Sequence, residues 1–223
     1  MMYKINQNYF KFIDNKDKAY FLGILYADGN NYISTNVKQV SLELLSEDIK
    51  IIKILKNRLG TNKPIKYRKA KIDKNNFKIK KRCGLVLSNK QISEDLYNHG
   101  CVPKKTFNLK FPSEDSLPKE FYSSFIRGYF DGDGCIYIGK NNIKSSICGY
   151  HPFICDLFDI LKKENLNVKL YINKRIESFS ELYIQGEKDN IDFYNYLYDE
   201  SDLFLDRKKE KFMNIINTQK GQG

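Results

Sequence analysis

The chain has 223 residues, of which 41% are hydrophobic and 14% aromatic, and its formal net charge is +11 at pH 7. Because it contains no signal peptide and no apolar run of about 18 residues, we expect a soluble globular protein that is neither exported nor membrane-spanning. Its five cysteines are an odd number and include no CxxC pair, which indicates a reducing, intracellular compartment.

The positive charge is concentrated in the first half of the chain. Residues 1–112 hold 23 Lys and Arg against 9 Asp and Glu, whereas residues 113–223 hold 15 against 18. A basic balance of this size predicts a polyanionic partner, most simply nucleic acid. We therefore expect residues 1–112 to supply most of the sequence-independent affinity.

One ten-residue pattern occurs twice. The copies are YFLGILYADG at 20–29 and FIRGYFDGDG at 125–134. Both are apolar on nearly every face, which predicts two buried helices that end at Asp28 and Asp133. Gly29 and Gly134 are expected to adopt the left-handed conformation that commonly follows a helix. A pattern repeated about half a chain apart predicts a duplicated architecture.

Small residues lie four apart in each predicted helix, which is about one turn. They are Gly23 with Ala27 and Gly128 with Gly132. Two such strips allow close helix packing, and this packing would bring Asp28 and Asp133 side by side at one end of the seam. A carboxylate at a helix C-terminus is disfavoured by about 0.3–1 kcal/mol. A divalent cation would resolve the conflict, because Mg²⁺ is typically bound by one or two carboxylates plus phosphate oxygens.

The remaining patterns predict the same order of elements twice. After a helix at 16–28 come a hairpin at 30–45, a helix following Ser46, a basic hairpin at 63–82, a helix at 89–98 and a linker at 101–112. After the second motif helix come a hairpin at 136–148, a helix at 152–164, strands at 168–175 and 181–185, and helices at 189–199 and 206–217.

The hairpin at 63–82 is expected to turn at 73–76, and it carries ten Lys and Arg but a single acidic residue, Asp73. Phe77 and Ile79 alternate with cations there, so one face is expected to pack while the other presents a row of positive charge. A solvated surface is the plain alternative. Aligned cations on neighbouring strands repel each other, however, and we therefore favour a polyanionic partner such as DNA.

The doubled pattern resembles the LAGLIDADG homing endonucleases, specifically the single-chain type with two motifs. Gly23, Ala27, Asp28 and Gly29, and their counterparts in the second copy, match the third, seventh, eighth and ninth motif positions. Asp131 also matches the sixth position, where the first copy has Tyr26. The resemblance implies an α+β fold of two pseudo-symmetric αββαββα halves, 1–112 and 113–223. The motif helices would join the halves, and the antiparallel sheets would form a DNA-binding saddle.

The resemblance also implies a function: a monomer that makes a metal-dependent double-strand break in a long, asymmetric DNA target. Asp28 and Asp133 would be catalytic and would bind Mg²⁺, with Mn²⁺ expected to substitute. The carbonyls of Ala27 and Gly132 would assist as metal ligands, and Gln39 would be a further catalytic residue that organises solvent.

A basic residue beside each metal is also implied by the resemblance, and several side chains could serve. The options are Lys80, Lys81 or Arg82 in the first half and Lys174 in the second, and the sequence does not choose among them. The residues expected to bind DNA are Lys66, Arg68, Lys78, Lys80, Arg82, Lys140, Lys144, Lys169, Lys174 and Arg175.

Two alternatives use the same scaffold without cleavage: an RNA-binding maturase that helps an intron fold, and a DNA-binding regulator. Neither needs the two aspartates, so their presence favours the endonuclease. The splicing residues of an intein are absent at the termini, which leads us to expect a freestanding or intron-encoded protein. Its location would be a bacterial or phage-infected cytoplasm or an organelle.

Overall fold

The two motif copies form helices that lie against each other along their length. The computed structural model describes residues 3–72, 76–139 and 142–220, apart from the side chains of 218–220. Helix α1 covers Lys16–Asp28 and helix α4 covers Tyr122–Asp133. The side chain of Asn15 accepts a hydrogen bond from the backbone N–H of Lys18 and caps α1, as polar residues at this position commonly do. The predicted bounds of α1 and the burial of both helices are confirmed.

The other elements follow in the predicted order. In the described part of the chain the remaining α-helices are α2 (Ile49–Arg58), α3 (Lys90–Asn98), α5 (His151–Lys163), α6 (Glu187–Tyr198) and α7 (Asp206–Lys220). The strands are β1 (Gly29–Ile33), β2 (Lys38–Leu45), β3 (Lys66–Arg68), β4 (Lys71–Ile72), β5 (Lys78–Ile79), β6 (Arg82–Leu87), β7 (Cys135–Ile138), β8 (Ile143–Tyr150), β9 (Lys169–Ile172) and β10 (Phe179–Gln185).

Two four-stranded antiparallel sheets repeat one topology. The first has the order β1-β2-β6-β3 and the second the order β7-β8-β10-β9. In β2 and β10 alternate residues are buried, so each sheet has one face toward the helices and one outward face. The predicted α+β fold of two αββαββα units is confirmed, with α7 as an additional closing helix. The boundary between the halves at residue 112 stays a prediction.

Glycine allows the two motif helices to approach each other closely. A Cβ atom on Gly23 would overlap the carbonyl oxygen of Phe125 and stand 2.9 Å from the backbone nitrogen of Tyr129. A Cβ on Gly128 would likewise overlap the carbonyl oxygen of Tyr20 and stand 2.9 Å from the backbone nitrogen of Ile24. The predicted seam of small residues therefore forms because backbone meets backbone there.

The glycines that follow the motif aspartates do not adopt the predicted left-handed conformation. Gly29 has φ −81° and ψ 160°, and Gly134 has φ −69° and ψ 154°, so both are extended. Gly29 is the first residue of β1, and each chain passes from its helix straight into a strand. Glycine is needed for space, because a Cβ on Gly29 would lie 2.5 Å from the carbonyl oxygen of Leu25.

A buried carboxylate ties the motif helices to the end of the second half. Asp131 is fully buried and accepts hydrogen bonds from the Tyr20 hydroxyl at 2.8 Å, the Tyr198 hydroxyl at 2.6 Å and the Leu205 amide at 2.7 Å. Burial raises the pKa of Asp131 to about 6, although these three donors act in the opposite direction. The sixth motif position is therefore structural in this chain, and Tyr26 takes its place in α1 by donating to the His99 carbonyl.

The basic segment 63–82 differs from the predicted single hairpin. Its strands β4 and β5 form a separate two-stranded sheet, and only β3 and the start of β6 join the first four-stranded sheet. Phe77 is 69% exposed, whereas Ile79 is partly buried, so the expected packed face is wrong at Phe77 and only partly formed at Ile79. Three residues of its predicted turn, 73–75, lie outside the described residues.

Candidate active site

Asp28 and Asp133 are the last residues of α1 and α4, where the seam meets the two sheets. The helix ends are close together, because a Cβ on Gly132 would overlap the Cβ of Ala27 and stand 3.2 Å from Oδ2 of Asp28. The side chain of Asp28 is 25% exposed, so its carboxylate is only partly withdrawn from solvent. The geometry therefore brings the two predicted aspartates into one site.

Both carboxyl groups are held in an environment that disfavours their charge. Burial raises the pKa of Asp28, and neighbouring cations, Arg82 foremost, partly offset the increase. Burial also raises the pKa of Asp133, and the negative charge of Asp28 raises it further. A bound divalent cation would relieve both effects, since it favours the charged form of each carboxylate. The carboxylates of Asp28, which is partly buried, and Asp133, which is exposed, supply the hard oxygen donors that Mg²⁺ prefers, so the residues present fit this ion.

A lysine that the sequence left unassigned lies at the C-terminus of α1. The ammonium of Lys105 donates to the carbonyl oxygens of Leu25 at 2.8 Å and Ala27 at 2.6 Å. Cations are stabilised at helix C-termini, where the last carbonyls have no partner within the helix. Burial lowers the pKa of Lys105, while the charges of Asp133 and Asp28 act to raise it. The negative charges of both aspartates therefore favour the charged form of this one ammonium group.

A second lysine occupies the corresponding position on α4. The ammonium of Lys208 is buried and donates to the carbonyl oxygens of Phe130, at 3.3 Å, and Gly134. Burial and the adjacent charge of Arg207 lower the pKa of Lys208 to about 8. Each half of the site thus pairs an aspartate with a lysine that binds the end of the same helix.

The sequence does contain a weak signal for these two lysines. A basic pair follows the last helix of each repeat, Lys104-Lys105 after α3 and Lys208-Lys209 after α6. Lys105 lies seven positions after the end of α3 (98 to 105) and Lys208 ten positions after the end of α6 (198 to 208), so an alignment at those helices brings the two lysines near each other but not into register. Hydrophobic periodicity could not identify them, because each ammonium binds carbonyls more than seventy positions earlier in the chain.

Of the basic residues predicted to assist a metal, Arg82 is the one that the structure brings to an aspartate. Its Nη2 lies 3.6 Å from Oδ1 of Asp28, and its Nε lies 3.1 Å from Oε1 of Glu43 on the outward face of β2. Lys80, Lys81 and Lys174 are exposed. Within the described residues none of these three lysines forms an ion pair with either aspartate.

Gln39 does not lie on the part of β2 beside Asp28, where its predicted role near the metal would place it. Gly29, next to Asp28, pairs with Leu42, whereas Gln39 pairs with Tyr32 near the other end of β1. The Gln39 amide donates to the hydroxyl of Ser88 at 3.3 Å. Its catalytic role stays a prediction, and Glu43 is the outward residue of β2 that contacts the site through Arg82.

The predicted DNA-binding residues mostly occupy the outward faces of the sheets or their loops. Lys66, Arg68 and Arg82 lie on one face of the first sheet, because Arg68 pairs with Arg82 and Lys66 with Gly84. The small hairpin formed by β4 and β5 carries Lys78, and Lys80 directly follows β5.

In the second half the outward cations contact neutral partners. The Lys144 ammonium lies 3.7 Å from the ring centroid of Tyr183, and Lys169 donates to Oε1 of Gln185 at 3.2 Å. Lys174 and Arg175 lie in the exposed loop between β9 and β10. Lys140 lies outside the described residues.

Comparison with known proteins places this geometry in context. Residues 120–198 match the family model described as a LAGLIDADG-like domain. Among solved structures, the chain is similar to the LAGLIDADG homing endonuclease I-LtrWI bound to target DNA, with 12% identity, 97% of this chain and 92% of that chain covered, and a TM-score of 0.60. It is also similar to the homing endonuclease I-WcaI bound to its DNA recognition sequence, with 15% identity, 92% and 90% coverage, and a TM-score of 0.64.

A curated relative matches a shorter stretch. The probable translation initiation factor IF-2 of Methanocaldococcus jannaschii is 32% identical over 98 residues, which are 41% of this chain and 8% of the length of that protein. Within the described residues no helix has the length and hydrophobicity needed to span a membrane, and no cluster of three or more His, Cys, Asp and Glu side chains is placed to bind a metal.

Proposed function

We propose, from the confirmed resemblance to the single-chain LAGLIDADG homing endonucleases, that this protein is a site-specific endonuclease. It hydrolyses one phosphodiester bond in each strand of a long, asymmetric DNA target. The observation that carries the proposal is the site at the end of the seam, where Asp28 and Asp133 lie together and a lysine binds each helix end. Two carboxylates at adjacent helix C-termini destabilise the folded state, and a catalytic role accounts for their presence.

Mg²⁺ is the proposed cofactor, with Mn²⁺ able to replace it. Asp28 and Asp133 would hold the ions, and the carbonyls of Ala27 and Gly132 are the backbone oxygens at the same helix ends. When bound, such ions make water nucleophilic at neutral pH and stabilise the leaving oxygen of an in-line displacement. The Ala27 carbonyl already accepts a hydrogen bond from Lys105, so this oxygen would share its lone pairs with any metal.

The protein's own cations would then hold the reacting phosphates. The ammonium groups of Lys105 and Lys208 lie at the two helix ends, and their positive charges act to lower the pKa of both Asp28 and Asp133. Positive groups fixed in a partly dehydrated site stabilise the negative charge that develops on phosphate oxygens during attack. Arg82, at 3.6 Å from Asp28, adds a guanidinium on the first-half side.

The outward sheet faces would bind the DNA on either side of the cut. The ten predicted DNA-binding residues are proposed to contact phosphates and base edges, with the first half contributing most of the salt-dependent affinity. The two sheets carry different outward side chains, so the two half-sites are expected to differ in sequence. One chain supplies both aspartates and both sheets, and we therefore propose that it acts as a monomer, with residues 1–112 and 113–223 as its halves.

The proposed biological role is homing of an intron or a freestanding gene, in a bacterial or phage-infected cytoplasm or in an organelle. The non-cleaving alternatives, an intron RNA maturase and a DNA-binding regulator, would retain the basic sheets. They would not need two carboxylates at one helix seam. A cleavage experiment separates them from the endonuclease.

The test uses a plasmid that carries the sequence flanking the gene, joined without the gene. With Mg²⁺ the wild-type protein should produce a single linear product, and EDTA should abolish it. Asp28→Asn and Asp133→Asn should each stop cleavage of one strand while DNA binding persists. The matched control is Asp159→Asn, an exposed carboxylate on α5, which should cleave like the wild type. Tight binding without cleavage under every metal would refute the proposal, and competition between RNA and DNA would then separate maturase from regulator.

A further inference from the structure

The segment that carries Lys105 is held by the half of the protein to which Lys105 does not belong. Lys105–Phe107 forms a short 3-10 turn in the linker after α3. Its last residue, Phe107, packs edge to face on Phe179 of β10, with ring centroids 5.6 Å apart. The ammonium at the start of the same turn binds carbonyls of α1. The turn therefore joins an aromatic contact in the second half to the active-site end of the first motif helix.

Backbone strain supports an anchoring role for this turn. Lys104, which directly precedes it, has φ 51° and ψ 41°, in the left-handed region that is costly for residues other than glycine. Such a conformation persists only when the surrounding structure holds it. On the Lys105 side the chain is held by the hydrogen bonds to Leu25 and Ala27, and beyond the turn it is held by the Phe107–Phe179 contact.

The segment that carries Lys208 shows the reciprocal arrangement. Its neighbour Arg207, at the start of α7, donates from Nε to both carboxylate oxygens of Asp48, at 3.2 and 3.0 Å. Asp48 belongs to the first half and is only 5% exposed. Lys208 itself binds the end of α4 in the second half. Here too the lysine binds its own half while the adjacent residue is fixed on the other.

We infer that the Phe107–Phe179 and Arg207–Asp48 contacts are a crossed pair of anchors, each of which positions one active-site lysine across the interface between the halves. Phe179 and Asp48 are thereby positioning residues, since each acts through a neighbour of the lysine and touches no reacting atom. The effect of these anchors on catalysis rests on the proposed function, whereas their positioning of the two lysines does not. Each lysine reaches its helix end only when the two halves are correctly docked, so damage to one anchor should disturb one lysine.

The first test measures side-chain accessibility and requires neither DNA nor metal. The protein is treated briefly with an amine-acylating reagent, and modification of each lysine is quantified by mass spectrometry. Phe179→Ala should raise the modification of Lys105 several-fold and leave Lys208 unchanged. Asp48→Asn should raise the modification of Lys208 and leave that of Lys105 unchanged. If Asp48→Asn folds poorly, Arg207→Gln removes the same contact by changing its more exposed partner.

Two variants serve as matched controls. Lys50→Gln breaks an exposed ion pair with Asp206 that also joins the halves near Asp48, at 3.2 Å. Phe12→Ala removes an aromatic ring that is 64% exposed. Neither should change the modification of Lys105 or Lys208. Equal responses of both lysines to each anchor variant, or no response, would overturn the inference.

The second test asks whether anchoring affects catalysis, by labelling each DNA strand separately under single-turnover conditions. Lys105→Met and Lys208→Met first identify the strand that depends on each lysine. Phe179→Ala should then slow the Lys105-dependent strand, and Asp48→Asn the Lys208-dependent strand, by about ten- to a hundredfold with unchanged Kd. Conservative Phe179→Tyr should restore the rate. Equal slowing of both strands, or weaker binding alone, would contradict a positioning role. If the wild-type protein cuts no DNA, the proposed function fails, and the acylation result still decides the anchoring.

Discussion

The hydroxyl of Tyr20 in α1 donates a 2.8 Å hydrogen bond to the buried carboxylate of Asp131 in α4. This bond crosses the seam between the halves, and Asp131 also binds the Tyr198 hydroxyl and the Leu205 amide. The seam is therefore held by a buried acceptor with three donors in addition to close backbone packing. A fully satisfied buried network of this kind favours one docking geometry, because a shifted helix would leave polar groups unpaired.

The first prediction concerns the pH dependence of this network. The pKa of Asp131 is raised to about 6 in the folded state, above the value of 3.8 expected when the chain is unfolded. The folded state therefore binds the proton more tightly, and the stability contributed by this group is complete below pH 3.8 and is lost as pH rises through 6. Asp131→Asn should be less stable than the wild type, because its NH2 group replaces one of the two acceptor oxygens. It then faces either the donor to Oδ1, the Tyr198 hydroxyl, or the donors to Oδ2, the Tyr20 hydroxyl and the Leu205 amide.

The difference in free energy of unfolding between the wild type and Asp131→Asn should decrease by roughly 2–3 kcal/mol as the pH rises from about 4 to 7. Chemical denaturation of both proteins across this range measures the difference directly, and most other titrating groups cancel in it. Tyr198→Phe, which keeps the carboxyl group, is the comparison variant and should retain a pH dependence. A constant deficit would show that Asp131 does not titrate in this range.

The second prediction concerns the seam glycines. Gly23→Ala and Gly128→Ala should each destabilise the protein by about 1–3 kcal/mol or more, because the new methyl group meets a rigid backbone carbonyl that cannot move aside. Gly60→Ala is a useful contrast, since a Cβ there meets nothing within 4 Å and only its φ of 57° opposes the change. Urea denaturation should rank Gly60→Ala as the milder variant, and seam variants of wild-type stability would contradict the packing argument.

The third prediction concerns the metal and the stability of the site. Without divalent cations, Asp28→Asn and Asp133→Asn should be more stable than the wild type, by about 0.3–1 kcal/mol from the helix end alone. Mg²⁺ should raise the Tm of the wild type, because an ion that binds the folded state stabilises it, and should raise it less in either variant. Thermal unfolding with Mg²⁺ and with EDTA measures both effects. Destabilised variants together with a Tm insensitive to Mg²⁺ would argue against a cation site.

The fourth prediction concerns the basic first half. Replacing Lys66, Lys78 and Lys80 with Gln should weaken DNA binding and reduce the slope of log K against log salt by about 0.9 for each phosphate that is no longer neutralised. The control replaces three exposed cations on α5 and α6, which lie away from the outward sheet faces: Lys162, Lys163 and Lys188. Fluorescence anisotropy at several salt concentrations should separate the two triple variants. Equal slopes would mean that the charge at 66–80 is merely solvated.

The sequence by itself determined the architecture of this protein and the position of its two aspartates. Hydrophobic periodicity, the four-residue spacing of small residues and the doubled Asp-Gly are local properties, so the motif helices, their seam and the repeated order of elements could be derived from them. Local pattern was less reliable where tertiary space decides conformation. Gly29 is extended because the chain passes directly from α1 into β1, and Phe77 is exposed because its hairpin lies outside the four-stranded sheet.

Only the tertiary structure decided which cations share the site with the aspartates. Lys105 and Lys208 reach helix ends that are distant in the chain, and Arg82 reaches Asp28 because β6 lies beside β2. The crossed anchors through Phe179 and Asp48 likewise depend on how the halves dock. Hydrogen bonds, ion pairs and ring contacts between residues far apart in sequence produce no periodic pattern in the sequence. They arise only when folding brings the groups within a few ångströms of one another.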